Sequence, residues 1–207
     1  KTAFLFPGQG SQTPGMATAL ASESQSARDI LAEIDDILDF NLSGLMAEGP
    51  ADELQLTQNA QPALFASSLA TLRTIEQVTG KPINQLCDFV AGHSLGEYSA
   101  LCAAQSIEVA STASLLRLRG EAMQKAVPVG EGAMAALLGA DIPLADAVIE
   151  AASSTGLVEI ANDNAAGQIV VSGETKAVEA AMEIARDKGL RRVISLPVSA
   201  PFHCAMM

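Results

Sequence analysis

The chain has 207 residues, 49% hydrophobic and 17% charged, with twelve basic against twenty-four acidic side chains and a formal net charge of −12. That composition excludes a disordered tail and supplies a core for one globular unit carrying an insertion. The acidic balance is a poor match to nucleic acid, and no apolar run approaches the ~18–20 residues that span a bilayer. Lys1 to Phe6 enter a strand-like run with no room for a signal peptide. Cys87, Cys102 and Cys204 are an odd number without metal-ligand spacing, the usage of a reducing cytosol, so a cytoplasmic protein without zinc is expected.

Ala3 to Phe6 reads as a short buried strand, and Pro7-Gly8-Gln9-Gly10-Ser11-Gln12 as a turn that lets backbone approach another group closely. Over residues 25–40 the spacing of Ile30, Leu31, Ile34, Ile37 and Leu38 predicts a helix, which Glu48-Gly49-Pro50 interrupts. A helix from about Pro62 to Val78 stops at Gly80-Lys81-Pro82. Phe89-Val90-Ala91 is a second buried strand, running directly into Gly92-His93-Ser94-Leu95-Gly96 and then a helix.

Residues 128–197 read differently. Gly132 to Leu138 is strand-like, and a helix runs from Pro143 to Ala152 with proline at its start. Leu157 to Ala161 and Gln168 to Ser172 are strands joined by an Asn-Asp-Asn-Ala-Ala-Gly turn. A helix over Glu174 to Lys188 stops at Gly189, and Arg192 to Leu196 closes the segment as a strand. The order βαββαβ is the split-βαβ pattern of ferredoxin-like domains. The expected architecture is therefore α/β: residues 1–127 form an α/β-hydrolase-like core, 128–197 a ferredoxin-like insert, and 198–207 return to the core. Lys176, Arg186, Lys188, Arg191 and Arg192 gather five of the twelve cations into seventeen residues. They read either as a solvated face or as a local positive patch for an acidic partner.

Gly92 to Gly96 fits G-x-S-x-G between a strand and a helix, the setting of a nucleophile elbow. Such a turn strains the serine, and small residues two positions to either side relieve the crowding. The following helix is expected to begin at the nucleophile, so its N-terminal N–H groups face any oxyanion and the Leu95 N–H is the natural first donor. An activated serine needs a base, and the sequence has two histidines. His93 adjoins Ser94 and should point away from its hydroxyl, which leaves His203, in Ser199-Ala200-Pro201-Phe202-His203. On the helix from about 108 to 125, Val109, Leu116 and Met123 define an apolar stripe that includes Arg119, whereas Arg117 falls beside Ala113 and Glu121. An arginine on a buried face demands an anionic partner, either a substrate carboxylate held by its fork or an internal ion pair such as Glu97. The elbow alone equally permits a serine esterase or thioesterase.

Taken with Phe6-Pro7-Gly8-Gln9-Gly10-Ser11-Gln12, Gln61-Pro62-Ala63-Leu64, Gly92 to Ala100, Arg119-Gly120 and Phe202-His203, the chain resembles the malonyl-CoA:acyl carrier protein transacylases, the acyltransferase family of fatty-acid and polyketide synthesis. The resemblance implies Ser94 as the nucleophile that takes malonyl as an oxygen ester, His203 as general base and Arg119 as the carboxylate clamp. It implies an oxyanion hole from the backbone N–H groups of Gln9 and Leu95. It also marks Gln61, His93, Met123, Asn162, Asn164 and Phe202 as substrate or coenzyme A contacts, with Leu95 and Phe202 typical of malonyl-selective members. No metal and no prosthetic cofactor is implied. The implied partners are malonyl-CoA and acyl carrier protein, with no nucleic acid and no membrane. A non-catalytic carrier-protein docking module is the further alternative, against which an intact Ser94 and His203 argue. The family continues beyond its histidine, so the resemblance implies a truncated chain in which the residue orienting His203 has no counterpart.

Overall fold

A computed structural model describes residues 1–128, 130–198 and 200–207. The chain divides into two compact units, Lys1–Glu121 and Ala122–Met207.

The first unit runs β1 (Ala3–Phe6), α1 (Thr18–Glu23), α2 (Gln25–Leu38), α3 (Leu42–Glu48), α4 (Ala51–Gln55), α5 (Thr57–Thr79), β2 (Phe89–Gly92), α6 (Gly96–Ala103) and α7 (Val109–Ala126), the last crossing the boundary. β1 and β2 pair in parallel from Ala3↔Phe89 to Phe6↔Gly92, a pairing that requires a long crossover, supplied by α1 to α5. The sequence predicts both strands to be buried; among the described residues one face of each is covered. Phe4 and Val90 pack around Phe6, Leu72, Ile83 and Ala100, while Leu5 and Phe89 on the alternate positions stand 77% and 56% exposed.

The main core of this unit lies between α2 and α5, with Ile30, Leu31 and Ile34 of α2 joining Leu64, Phe65 and Leu69 of α5. The predicted spacing of α2 therefore describes its buried stripe, and Ser24 caps the helix by accepting from the Ala27 N–H at 3.2 Å. α5 differs from expectation. It begins at Thr57, with Pro62 inside it. A proline there has no N–H for the carbonyl four residues back, that of Gln58. Arg117 Nη1 donates to that carbonyl at 3.3 Å, so the missing rung is replaced from α7. The two helices come close because Gly120 has no side chain: a Cβ would lie 2.6 Å from both Gln58 Cα and the Thr57 carbonyl oxygen.

The second unit runs β3 (Gly132–Leu138), α8 (Ile142–Ala152), β4 (Val158–Ala165), β5 (Gln168–Glu174), α9 (Thr175–Asp187) and β6 (Arg192–Ser195). Its antiparallel sheet has the order β4-β5-β3-β6, the ferredoxin-like arrangement expected from βαββαβ. Alternation sorts β3 between two faces: Ala135 and Leu137 meet Val148, Val178 and Ala181 of α8 and α9, while Met134 and Ala136 meet Val170, Ala200 and Phe202. The Asn162-Asp163-Asn164 stretch is not a turn. β4 extends through it to Ala165 by means of irregular pairing between Ile160 and Asn162 and between Asp163 and Ala165. Each irregularity absorbs a residue that would break the ladder's register, leaving Ala166 and Gly167 as the two-residue hairpin loop. All five clustered cations are exposed. Ser199, at the head of the expected Ser199–His203 segment, lies outside the described residues.

Filling the α5–α7 contact should be costly, because the atoms in the way are backbone. Gly120→Ala is expected to lower unfolding stability by about 1–3 kcal/mol, as overpacked sites do, measured as a fall in urea midpoint at unchanged slope.

Candidate active site

The register Phe6↔Gly92 places the loops that leave β1 and β2 side by side at the carboxyl ends of parallel strands. His93 N–H donates to the Phe6 carbonyl at 3.1 Å, extending the ladder to the residue before the serine. Ser94 then adopts φ +53, a left-handed conformation that a side chain rarely accepts. Two glycines make room. A Cβ on Gly92 would fall on the Gly96 carbonyl group, and one on Gly96 would fall on the Phe6 carbonyl oxygen. The turn closes through Gly96 N–H on His93 O at 2.9 Å and Glu97 N–H on Ser94 O at 3.1 Å. α6 starts at Gly96, two residues past the serine and not at it. Leu95 is fully buried in the core shared with α5, which anchors the turn from below.

His93 lies against the first glycine-rich loop, where a Cβ on Gly8 would come within 2.5 Å of its Nδ1. In that same loop Gln9 is half-buried, and its Nε2 donates to Thr57 Oγ1 at 3.4 Å, tying the loop to the start of α5.

Arg119 is the charged centre of this unit's site. Its Nη1 donates to Gln61 Oε1 at 2.7 Å and its Nη2 to Ser94 Oγ at 3.2 Å, with the Tyr98 ring 5.8 Å from Cζ. Burial lowers the guanidinium pKa from its ordinary value, and Tyr98 opposes that shift. The ion pairs among the described residues join the N-terminus to Asp88, Arg73 to Glu76 and Arg117 to Glu121. The internal pair with Glu97, one of the two readings of Arg119, is therefore not formed. A guanidinium partly withdrawn from water, held by neutral groups and touching a strained serine hydroxyl, is suited to receive an anionic group there.

The other residues singled out in the sequence belong to the second unit. His203 is exposed at φ +61, in a turn where Phe202 N–H donates to Ala200 O at 3.0 Å. Phe202 is buried among Met134, Ala136 and Val170, and Met123 packs against the same cluster. Asn162 and Asn164 lie on β4, where Asn162 is half-buried and Asn164 exposed. Sequence reasoning missed Thr57 and Asn59, because both precede the proline at which the helix was expected to begin. Arg117 was correctly set beside Glu121, which its Nε meets at 3.1 Å, but its reach to Asn59 carries no sequence signal. Among the described residues no group of three or more His, Cys, Asp or Glu could hold a metal ion, and no helix is long and apolar enough to cross a membrane.

Residues 3–207 match the family model described as the acyl transferase domain. The chain belongs to the acyl transferase family. Among this family's curated members it is 48% identical over 208 residues to the malonyl CoA-acyl carrier protein transacylase of Bacillus subtilis (strain 168), covering 100% of this chain and 64% of the relative. Among solved structures it is similar to the acyl-carrier-protein-S-malonyltransferase of Bartonella henselae, with 55% identity and a TM-score of 0.94, covering 99% of this chain and 65% of the other. It is also similar to a malonyl-transacylase solved in complex with its type II PKS acyl-carrier protein, with 41% identity and a TM-score of 0.93 over 99% of this chain and 65% of that one. The chain thus spans about 64–65% of the length of these acyl transferases.

The elbow geometry makes a sharp demand on Gly96. In Gly96→Ala the new methyl has no space beside the Phe6 carbonyl oxygen, so the turn carrying Ser94 must move. A loss of serine reactivity toward a fluorophosphonate probe is expected, well beyond any loss of folded protein seen by circular dichroism.

Proposed function

We propose that the protein is a malonyl-CoA:acyl carrier protein transacylase working through a seryl ester in the cytoplasm. The observation that carries this reading is the Arg119 guanidinium, without a carboxylate partner among the described residues and 3.2 Å from Ser94 Oγ. A neutral acyl chain would have no use for it, which disfavours an esterase or thioesterase. The malonyl thioester places its free carboxylate on Arg119 and its carbonyl carbon at Ser94. As His203 takes the hydroxyl proton, Oγ bonds to the carbonyl carbon and charge collects on the carbonyl oxygen, met by the N–H groups of Gln9 and Leu95. Collapse breaks the carbon–sulfur bond, and the histidine returns the proton to the departing coenzyme A thiolate. The phosphopantetheine thiol of the carrier protein repeats the sequence in reverse, leaving malonyl on sulfur and restoring Ser94.

We assign the base role to His203 because His93 directly precedes Ser94 in the chain and its ring lies by Gly8. Gln61, which shares Arg119 with the nucleophile, is a substrate-side contact in this reading, as are His93, Met123, Asn162, Asn164 and Phe202. The similarity to a transacylase solved with its acyl-carrier protein supports the choice of acceptor.

Incubating the full-length protein with malonyl-CoA should add one malonyl unit to the peptide containing Ser94, and Ser94→Ala should abolish it; labelling that survives the substitution rejects this nucleophile. Arg119→Ala should cost malonyl transfer roughly 1.5–3 kcal/mol of transition-state binding, about a 10- to 150-fold fall in kcat/KM, the worth of a hydrogen bond to a charged group. Acetyl transfer by the same variant should fall far less. Equal losses for the two acyl groups would assign Arg119 a purely structural role.

A further inference from the structure

Arg117 lies two residues before Arg119 on α7, and its contacts lead back to the same place. Its Nε pairs with Glu121 at 3.1 Å, its Nη1 donates to Asn59 Oδ1 at 2.6 Å and to the Gln58 carbonyl at 3.3 Å, and the Phe40 ring lies 5.1 Å from Cζ. A half-exposed pair with Glu121 would need only a surface cation and would be worth little. The bonds to α5 are of another kind: both leave the single Nη1, which joins a side-chain amide and a backbone carbonyl of the same helical turn.

They also fall where α5 is weakest. The helix has no side-chain cap at Leu56, and Pro62 removes the donor that would have held the Gln58 carbonyl. Asn59 carries the connection one step further, its Nδ2 donating to the Glu53 carbonyl of α4. One turn on from Gln58, Gln61 is 1% exposed and accepts from Arg119 Nη1. The first turn of α5 is thus gripped by one arginine of α7 and presents a glutamine to the next.

We infer that Arg117 is a positioning residue: by tying the first turn of α5 to α7 it fixes Gln61 against Arg119, and so aims the guanidinium that receives the substrate carboxylate. This rests on the malonyl reading of Arg119 proposed above. Without Arg117 the Gln58 carbonyl loses its donor and the turn can shift. Gln61 Oε1 then no longer holds one edge of the Arg119 fork in place.

The test is Arg117→Met in the full-length protein, which keeps the apolar stem and removes every donor. KM for malonyl-CoA should rise roughly tenfold, as small misplacements of a recognition group do, while acetyl transfer stays within about twofold of wild type. Arg117→Lys should recover part of the loss, and Glu121→Gln, which leaves the α5 bonds intact, should change neither. Independently of any reaction, the guanidinium ¹⁵N–¹H resonances of Arg119, assigned by their disappearance in Arg119→Ala, should shift in Arg117→Met and stay fixed in Glu121→Gln. If Arg117→Met does not fold, Arg117→Lys carries the same two readouts with smaller changes. Equal losses for malonyl and acetyl, or unmoved Arg119 resonances, overturn the inference. Shifted resonances in a protein that transfers no malonyl would reject the reaction and leave the positioning role standing.

Discussion

Everything in the first unit that bears on chemistry depends on how closely the Gly92–Gly96 turn sits on the end of β1. The Phe6 carbonyl receives His93 N–H and occupies the space beside Gly96 where any side chain would stand. That contact holds Ser94 in its left-handed conformation, and the strain is sustained because the surroundings leave no alternative. Leu95, fully buried beneath the turn, couples it to the same core that organises α2 and α5. The stability of a helical core is thereby converted into the geometry of one hydroxyl.

Electrostatics is built on this frame with few parts. A partly buried arginine is costly unless its donors are satisfied, and here neutral oxygens satisfy them, from Gln61 and from Ser94 itself. Amide and hydroxyl partners leave the positive charge uncancelled, whereas a carboxylate such as Glu97 would have neutralised it. The choice of neutral partners keeps the site receptive to an anion in a chain whose net charge is −12.

The parts of this arrangement legible in the sequence are those set by local rules. The elbow follows from glycine spacing and the ferredoxin-like sheet order from the sequence of strands and helices, whereas periodicity sets Arg119 apart from Arg117 although both are half-buried. Three features escaped for physical reasons. Pro62 reads as a helix start because proline is favoured there, and only a donor from another helix, Arg117, lets it lie further in. Asn162 to Asn164 read as a turn because those residue types are depleted in strands, and paired irregularities in β4 override the propensity. Leu5 and Phe89 read as buried because they stand in short apolar runs, and among the described residues nothing covers their face of the sheet.

Those irregularities in β4 also bear on how the second unit behaves in crowded solution. β4 is the outermost strand on one side of its sheet, and an outermost strand offers unpaired backbone groups to any extended chain it meets. Two breaks in register, with Asn162, Asp163 and Asn164 between and around them, spoil the regular spacing that a foreign strand would need. On the opposite margin β6 is only four residues long and opens with the exposed Arg192. Both margins of the sheet formed by the described residues are thus poor templates for pairing with an extended chain.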